Sequence, residues 1–378
     1  MREELRPGYN VRIAFDYQVF CRQRYGGVSR YFFELAREVT RQHEADVTVV
    51  APLYCNEYLR QASEVHVLGR YVPMIPRAVR LVQFINAMAV QRAFHMVRPD
   101  IVHETYYCKR RLAPRGVPVV VTVYDMIHEK YAQYFSGRNM TAKDKAAAVA
   151  RADHVICISE STKRDLMEIL RLPSEKISVI HLGFTSPAVD EVSGQGESLP
   201  MNRPFVLYVG NRDGHKNFVR LLEAYGTSSR VSSGYGLTCF GGGPFTNDES
   251  AMIQRLGLDG SQVRQLAGDD RLLARIYRGA SLFVYPSLYE GFGIPPLEAM
   301  SHGCPVVCSN TSSIPEVVGD AGEYFEPGNV DSIRAAIERV AESQIRREEL
   351  IAKGRERLRC FGWDRCAEQT LDVYRRLI

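Results

Sequence analysis

Short apolar, β-rich runs alternate with helical patterns along almost all of the 378-residue chain, and this alternation restricts the fold more than any other feature. In parallel sheets each strand is followed by a helix that returns the chain to the same edge, which produces such a pattern. The strands predicted in the first half are 11–15, 47–51, 65–68, 101–103, 117–123, 155–158 and 177–181. The helices predicted between them are 29–41, 77–97 and 161–170, the last with a capped start at Ser161. We therefore predict a parallel sheet covered by helices.

Residues 185–203 interrupt the alternation with a polar stretch rich in glycine, serine and proline, which is typical of a linker. A second series follows, with strands at 205–209, 237–240, 263–266, 282–285 and 306–308 and helices at 217–225, 249–256 and 271–279. The two series predict an α/β protein of two Rossmann-like domains that face each other across a cleft. Ligands of such sheets bind outside the carboxyl ends of the strands. The predicted bounds are 1–185, a linker at 186–203, a second domain at 204–360 and a final amphipathic helix within 361–378.

The loop after the strand 282–285 contains two carboxylates, Glu290 and Glu298, with seven residues between them. Gly291 and Gly293 let the backbone turn sharply and approach a ligand closely. The two prolines that follow suit the first turn of a helix, whose N-terminus is a favourable place for phosphate. Carboxylates beside a phosphate would repel it, so we interpret them as ligands of hydroxyl groups, one on a sugar and one on a ribose. The loop therefore predicts a nucleotide-sugar pocket.

The strand 205–209 ends in a glycine, and basic residues then open a helix, in the order Gly210-Asn211-Arg212-Asp213-Gly214-His215-Lys216-Asn217. Backbone N–H groups and cations in such a setting suit a diphosphate. A departing nucleoside diphosphate accumulates negative charge, so fixed cations stabilise the transition state more than the ground state. We therefore predict that Lys216 and Arg212 bind the diphosphate.

These two loops resemble the Glu-x7-Glu motif and the Arg…Lys pair of the family-4 retaining glycosyltransferases, and the resemblance covers nearly the whole chain. It implies the GT-B fold, in which the last helix crosses back onto the N-terminal domain. It also implies a nucleoside-diphosphate sugar as donor, and retention without a protein nucleophile because the departing phosphate assists the acceptor on the same face. The chain departs from the pattern at one point: the basic residue usually follows the glycine directly, whereas here Asn211 stands there. The predicted donor contacts are Gly26, Gly27, Asn211, Arg212, Lys216, Glu290, Gly291, Phe292, Gly293, Ile294 and Glu298.

Two segments of the first half also resemble the family. Gly26 and Gly27 follow the first strand, as does the family's N-terminal glycine loop. The strand 117–123 ends in Tyr124, where many members carry a histidine near the reacting sugar. Asp125 and His128 follow, and either could hydrogen-bond the sugar or the acceptor. With Glu290, Lys216 and Arg212 they complete the predicted catalytic set, and a structural role remains open for His128 and for His103.

Three smaller patterns concern turns and metals. The turn Gly241-Gly242-Gly243-Pro244 resembles the family's glycine turn at the cleft floor. The hydroxyls of Thr311-Ser312-Ser313 could cap a helix or border the nucleotide, and we favour capping. Asp269 and Asp270 are interpreted as capping residues, and no Asp-x-Asp signature follows a strand. We therefore predict no metal and no other cofactor.

Charge is distributed unevenly, with a net charge of +8 over residues 1–185 and −4 over the remainder. This asymmetry predicts an anionic partner for the first half, either nucleic acid or an anionic membrane with a phosphorylated lipid acceptor. No interleaved aromatic and basic RNA motif is present, so we expect no nucleic acid. The basic amphipathic helix 77–97 could lie on a membrane or could simply be a packed surface helix.

The segment 1–10 has no apolar stretch of signal-peptide length, and no run of eighteen apolar residues exists. The nine cysteines include no Cys-x-x-Cys pair, which favours reduced thiols. We predict a cytoplasmic protein, and peripheral contact with the cytoplasmic face of a membrane stays open as an alternative.

The predicted function is transfer of a sugar to a glycan or lipid-linked glycan in surface polysaccharide assembly, such as that of O-antigen. Mannose, from GDP-mannose, is the first candidate for this sugar. The segments Tyr25-Gly26-Gly27-Val28-Ser29-Arg30 and Val123-Tyr124-Asp125-Met126 resemble enzymes of that process. Two alternatives remain open: a sugar-nucleotide epimerase of the same fold, and a non-catalytic protein that binds nucleotides or nucleic acid.

Overall fold

A computed structural model describes residues 10–42, 45–74, 78–135, 140–186, 203–212 and 214–378. These residues divide into two compact units. Unit 1 takes its described residues from 10–130, 140–183 and Gly362–Ile378, and unit 2 takes them from 131–135 and from the chain between Phe184 and Phe361. Residues 187–202 of the predicted linker lie outside the described residues, as do 1–9, Arg77 and Asp213.

Unit 1 is a seven-stranded parallel sheet with the strand order β3-β2-β1-β4-β5-β6-β7. Its strands are β1 (Val11–Phe15), β2 (Ala45–Tyr54), β3 (His66–Tyr71), β4 (Ile101–Glu104), β5 (Val119–Val123), β6 (His154–Cys157) and β7 (Ile177–Val179). Its first six helices are α1 (Gly27–Arg41), α2 (Glu57–Gln61), α3 (Val79–Val97), α4 (Ile127–Lys130), α5 (Met140–Arg151) and α6 (Glu160–Leu170). The strand order reverses between β1 and β4, which is where ligands of such sheets bind.

The sequence of β5 shows why unit 1 forms a parallel sheet. All five residues, Val-Val-Val-Thr-Val, are buried, as expected for a strand covered by helices on both faces. The helix after β6 begins one residue earlier than predicted. Its cap is Ser159, whose Oγ accepts a hydrogen bond from the Thr162 backbone N–H, so the predicted cap at Ser161 is wrong.

Unit 2 is a six-stranded parallel sheet with the strand order β10-β9-β8-β11-β12-β13. Its strands are β8 (Phe205–Val209), β9 (Gly236–Phe240), β10 (Val263–Leu266), β11 (Leu282–Tyr285), β12 (Val306–Ser309) and β13 (Gly322–Phe325). Its helices are α7 (Phe218–Thr227), α8 (Ser229–Gly234), α9 (Asn247–Arg255), α10 (Asp270–Gly279), α11 (Ile294–Ser301), α12 (Ile314–Val318), α13 (Val330–Glu342) and α14 (Gln344–Leu358). The strand order reverses between β8 and β11, the two strands that precede the predicted donor loops.

The last helix, α15 (Trp363–Leu377), belongs to unit 1 although it follows unit 2 in sequence. It packs against α1, and the Tyr374 hydroxyl lies 2.6 Å from Nδ1 of His103. The Trp363 ring fills the space that a side chain at Gly183 would occupy. The predicted fold class is confirmed: the protein is α/β, with two Rossmann-like domains and a terminal helix that returns to the first.

Two global features follow from the described part of the chain. None of its helices combines the length and the hydropathy that crossing a bilayer requires. All nine cysteines lie within it as free thiols, and seven of them are buried.

Candidate functional site

The loops after β8 and β11 meet in unit 2 at the point where the strand order reverses. The Lys216 ammonium lies 2.7 and 3.0 Å from the two carboxylate oxygens of Glu290. The Lys216 side chain is 25% exposed and the Glu290 side chain 12%, so solvent reaches both. Two residues predicted from separate stretches of sequence therefore form one ion pair at the ligand-binding edge of the sheet.

A buried asparagine joins the two loops. Asn217 donates from Nδ2 to the carbonyl oxygens of Pro286, at 3.0 Å, and Pro327, at 2.8 Å. Its backbone is left-handed, with φ 59°, a conformation that asparagine tolerates better than most residues. The Leu288 N–H donates to the His215 carbonyl at 2.8 Å. These contacts hold Lys216 opposite the second loop, and the sequence had indicated only a helix start at Asn217.

Three hydroxyls after β12 hold the Glu290 loop from behind. Ser312 Oγ accepts the Glu290 backbone N–H at 3.0 Å. Ser313 Oγ lies 2.9 Å from the Glu290 carbonyl oxygen and 2.8 Å from that of Phe292. Thr311 Oγ1 donates to the Leu288 carbonyl at 3.2 Å. The prediction that these hydroxyls cap a helix is wrong, because α12 has no side-chain cap and the hydroxyls hydrogen-bond the loop that carries Glu290.

Each predicted glutamate has a buried tyrosine partner. Glu298 lies on α11, where its Oε2 accepts from the Tyr277 hydroxyl at 3.2 Å. Burial, followed by the negative charge of Glu298, raises the pKa of Tyr277 well above its ordinary value. Burial and the charge of Glu290 raise the pKa of Tyr285 in the same way. Both tyrosines therefore remain neutral hydrogen-bond donors that can orient a carboxylate.

The start of α11 requires glycine at one position. Gly293, the cap residue, has φ 121°, a backbone conformation that L side chains rarely adopt. The two prolines of the first turn have no N–H. The backbone N–H groups that can point into this loop are therefore those of Gly293 and Ile294, both of which were predicted donor contacts.

Arg212 occupies a different environment from Lys216. Its Nε donates to Glu249 at 2.8 Å, and its Nη atoms donate to carbonyls of the turn formed by residues 241–244. The guanidinium also lies over the rings of Phe218 and Phe245, and the side chain is only 4% exposed. The three glycines of this turn have φ 88°, 69° and 71°, so the carbonyls of the turn can converge on one cation. Arg212 is a structural brace here, and this geometry gives no support to its predicted contact with diphosphate.

Asn211, the residue before it, is exposed, and its carbonyl accepts a hydrogen bond from the Tyr208 hydroxyl. Its predicted donor contact remains a prediction.

A short aromatic segment, residues 131–135, packs on the two donor loops and belongs to unit 2. The Tyr131 and Tyr289 rings lie 5.7 Å apart, and the Phe135 ring stacks on His215 at 6.5 Å. The Tyr134 ring occupies the space that a side chain at Gly214 would fill. Nothing in the sequence around 131–135 had indicated a role in the donor site, because the contact partners are about 80 residues or more away in the chain.

The N-terminal glycine loop precedes α1 in unit 1. A Cβ at Gly26 would collide with the side chain of Gln23, whereas a Cβ at Gly27 would meet nothing within 4 Å. The Gln23 Oε1 accepts the Ser29 backbone N–H at 3.2 Å, at the first turn of α1. Gly26 is thus explained by close packing, and Gly27 leaves open space beside the helix start, as a backbone that approaches a ligand would.

The loop after β5 contains Asp125 and His128 and is fixed by a lysine that the sequence had not indicated. Lys145, on α5, is buried and donates to the Asp125 carbonyl at 2.7 Å and to the Glu129 carboxylate at 2.9 Å. Burial lowers the pKa of His128, which is half-buried. The Tyr124 hydroxyl, at the position of the family's histidine, is inaccessible and has no hydrogen-bond partner among the described residues.

His103 is a core residue of unit 1. Its Nε2 lies 2.8 Å from Thr122 Oγ1, and its ring makes edge contacts with Phe15 and Phe32. Complete burial lowers its pKa to about 3, so the imidazole is neutral. The structural interpretation of His103 is therefore the one that the geometry favours.

Within the described ranges, no three or more histidine, cysteine, aspartate or glutamate side chains are arranged to hold a metal ion. Independence from metals remains a prediction for experiment.

Two family models match consecutive parts of the chain. A model described as "Glycosyltransferase Family 4" matches residues 25–185, and one described as "Glycosyl transferases group 1" matches residues 191–357.

Several relatives of the chain are mannosyltransferases. The chain is 29% identical over 377 residues to the O-antigen chain mannosyltransferase B of Escherichia coli, which covers 93% of this chain and 96% of the relative. It is 29% identical over 248 residues to the serotype-specific mannosyltransferase WbdA of E. coli, but that match covers 62% of this chain and only 30% of WbdA. A third match, 36% identical over 131 residues, is to the MMP alpha-(1->4)-mannosyltransferase of Mycolicibacterium hassiacum and covers about a third of each chain, 34% and 32%.

Solved structures with the same fold cover nearly the whole chain. Sucrose-phosphate synthase from Thermosynechococcus elongatus superposes with a TM-score of 0.74 at 20% identity, covering 97% of this chain and 99% of the other. Anabaena HepE, solved in complex with UDP and glucose, superposes with a TM-score of 0.72 at 18% identity, covering 96% and 99%. At these identities the likeness concerns the fold alone.

Proposed function

We infer the reaction of this protein from one premise, which is that the chain belongs to the family-4 glycosyltransferases and has the GT-B fold. It is therefore a glycosyltransferase, an enzyme that moves a sugar from a donor to an acceptor.

We propose that the donor is GDP-mannose and that the acceptor is a hydroxyl of a growing surface glycan, free or lipid-linked. The mannosyltransferase names of the relatives support the sugar, above all that of the E. coli O-antigen enzyme, which aligns along almost its whole length. The net positive charge of residues 1–185 suits an acceptor with a phosphorylated lipid.

The observation that carries the proposal is the ion pair between Lys216 and Glu290 at the reversal point of unit 2. An ammonium has three N–H donors, and the pairing uses two of them. Lys216 can therefore bind a β-phosphate oxygen while its position is held by Glu290. In this proposal the Gly293 and Ile294 N–H groups also face the diphosphate, and the Glu298 carboxylate accepts hydrogen bonds from the ribose.

The proposed reaction replaces one bond of the anomeric carbon by another and transfers one proton. The bond between the anomeric carbon and the β-phosphate oxygen breaks, and both of its electrons remain with the nucleoside diphosphate. The acceptor oxygen bonds to the anomeric carbon on the face that the phosphate leaves, and its proton passes to a departing phosphate oxygen. Lys216 stabilises the charge that develops on the diphosphate, and Glu290 orients the sugar through its hydroxyls.

Asp125 and His128 are proposed to hydrogen-bond the sugar or the acceptor. The Lys145 contact fixes the loop that carries them, which supports a positioned rather than a mobile pair. Burial lowers the pKa of His128 below its ordinary value, which favours the neutral imidazole near neutral pH.

A melting screen and transfer assays test the proposal. In a melting screen, GDP and GDP-mannose should raise the melting temperature more than UDP, ADP and their sugars, because a ligand that binds only the folded state stabilises it. NMR of the transfer product should show the anomeric configuration of the donor, and EDTA should leave the rate unchanged. An inverted product would overturn retention. A new epimer from donor alone would identify an epimerase.

A further inference from the structure

Helix α3 carries an unusual set of side chains for a surface helix. Residues 65–99, which include it, contain five arginines and no aspartate or glutamate. Surface helices of soluble proteins normally place charges of both signs toward water. The helix is instead mostly apolar, and its only charged residues of fixed sign are Arg80 and Arg92.

An apolar stripe, interrupted by the exposed Arg92 and His95, runs along its outer face. Residues at spacings of three and four lie on the same side of a helix. The side chains at these spacings are exposed: Leu81 by 59%, Phe84 by 64%, Ile85 by 40%, Met88 by 70% and, two turns further, Met96 by 68%. At 1.5 Å per residue the stripe is about 22 Å long. Exposed Arg92 lies within it, and exposed Arg80 lies beside it near the start of the helix.

The opposite face is fixed against the sheet. Asn86, Val90, Ala93 and Phe94 are buried. Asn86 Oδ1 accepts the Leu53 N–H at 2.8 Å and its Nδ2 donates to the Leu53 carbonyl at 2.9 Å. Rotation of the helix to cover its stripe would break both hydrogen bonds and leave their polar groups unpaired, which is costly. The stripe is therefore held outward.

We propose that this face of α3 docks on an anionic lipid bilayer, with the helix lying in the plane of the interface. An interfacial helix combines a buried apolar face with basic residues that approach lipid phosphates. Leu81, Phe84 and Met88 would enter the region of the acyl chains, and Arg80 and Arg92 would reach the headgroups by extending their long side chains.

Charge favours a lipid surface over a second copy of the chain. A symmetric contact through this face would place the arginines of one copy near those of the other, and the described helix offers no carboxylate to pair with them. An anionic bilayer supplies that charge. The inference does not depend on the sugar chemistry proposed above.

The test is co-sedimentation of the full chain with vesicles of phosphatidylcholine alone and with vesicles that also contain phosphatidylglycerol. We expect binding to the anionic vesicles that weakens as salt is raised. The double variant Phe84→Ser, Met88→Ser should bind at least tenfold more weakly, because two large apolar side chains no longer leave water. Arg92→Gln should weaken binding about fivefold on anionic vesicles only.

Matched controls come from unit 2. Ile345, which is 81% exposed, and Arg359, whose side chain is 77% exposed, can be changed to serine and glutamine, and both variants should bind as the wild type does. The GDP-induced melting shift should be equal in all variants, which separates this test from that of the sugar chemistry. The proposal is overturned if the wild type does not bind anionic vesicles, or if the Phe84, Met88 variant binds them as tightly as the wild type does. It is also overturned if light scattering shows that the wild type is a dimer and the Phe84, Met88 variant a monomer, because this face would then bind a second copy of the chain.

Discussion

The two sheets share one topology at their reversal points, yet their polar groups serve different ends. In unit 1 the charges near the carboxyl edge pair internally: Lys145 with Glu129, and the buried Glu104 with Arg151. Burial raises the pKa of Glu104 to about 7 and leaves its side chain inaccessible. In unit 2 the Lys216–Glu290 pair at the same edge remains partly exposed.

The difference shows that fold alone does not make a binding site. Both reversal points have the same strand arrangement, but the pairs Lys145–Glu129 and Arg151–Glu104 of unit 1 are largely buried, whereas in unit 2 hydroxyls and an asparagine hold an ion pair that solvent reaches. The buried ion pairs of unit 1 should therefore matter chiefly for stability, and the charges of the unit 2 loops chiefly for activity.

The largest expected effect concerns Lys145. Changing it to methionine leaves the Glu129 carboxylate buried without its cation, and this should lower the free energy of unfolding by about 3–5 kcal/mol. Chemical denaturation measures it. Lys143→Met, an exposed change on the same helix, should cost less than about 0.5 kcal/mol. Equal stabilities for Lys145→Met and Lys143→Met would contradict the view that the buried ion pair of Lys145 stabilises unit 1.

Lys216→Ala should lower activity and leave stability nearly unchanged, which is the opposite of the expectation for Lys145→Met. Loss of one fixed cation at a developing charge should reduce kcat/KM about 10²–10³-fold, while the melting temperature changes little because the pair is partly exposed. Steady-state kinetics with GDP-mannose measure this. Lys353→Ala, also partly exposed and ion-paired, is the matched control and should keep wild-type kinetics. A wild-type rate in Lys216→Ala would contradict the assignment.

His103 gives unit 1 a dependence on pH. Its folded pKa of about 3 lies below the ordinary 6.5, so between these values only the unfolded chain binds the proton. The contribution of neutral His103 to the free energy of unfolding is therefore fully present above about pH 6.5. It is lost as the pH falls toward 3, because protonation then favours the unfolded chain. From about pH 7.5 to 5 the wild type should therefore lose about 2 kcal/mol more stability than His103→Gln.

Urea titrations of both proteins at the two pH values measure this difference. The exposed His95 provides the control, since His95→Gln should follow the wild type. An unchanged pH slope in His103→Gln would show that another group is responsible.

The smallest expected effect concerns Ser312, which accepts the Glu290 N–H and has φ 52°. Ser312→Ala removes one hydrogen bond of about 1 kcal/mol, so kcat/KM should fall about tenfold or less as the loop loosens. The exposed Ser233→Ala is the control. A fall as large as that of Lys216→Ala would mean that Ser312 contacts the substrate itself.

Much of the fold could be predicted because strands buried on both faces are apolar runs. The strands β1, β8, β10 and β11 begin and end at the predicted residues. The short strand β13 and helix α14 were not predicted. Helix α14 buries only Leu350 and Gly354, so it has almost no apolar periodicity. Helix α13 was also missed, although Asn329 as its cap and the buried Ile333 and Ile337 gave a recognisable signal.

The candidate site could be predicted where its residues lie in the loop directly after a strand. Lys216 and Glu290 each follow a strand at a reversal point, so their meeting followed from topology. The brace role of Arg212 did not, because its partner Glu249 lies 37 residues away and is itself a helix-capping residue. Long-range hydrogen bonds of this kind leave no periodic trace in a sequence.

The central claim is that the unit 2 loops hold the donor diphosphate. A crystal structure with bound GDP tests it most directly. The account predicts a β-phosphate oxygen within hydrogen-bonding distance of Lys216 Nζ and a ribose hydroxyl at the Glu298 carboxylate. A nucleotide bound away from both residues would contradict it.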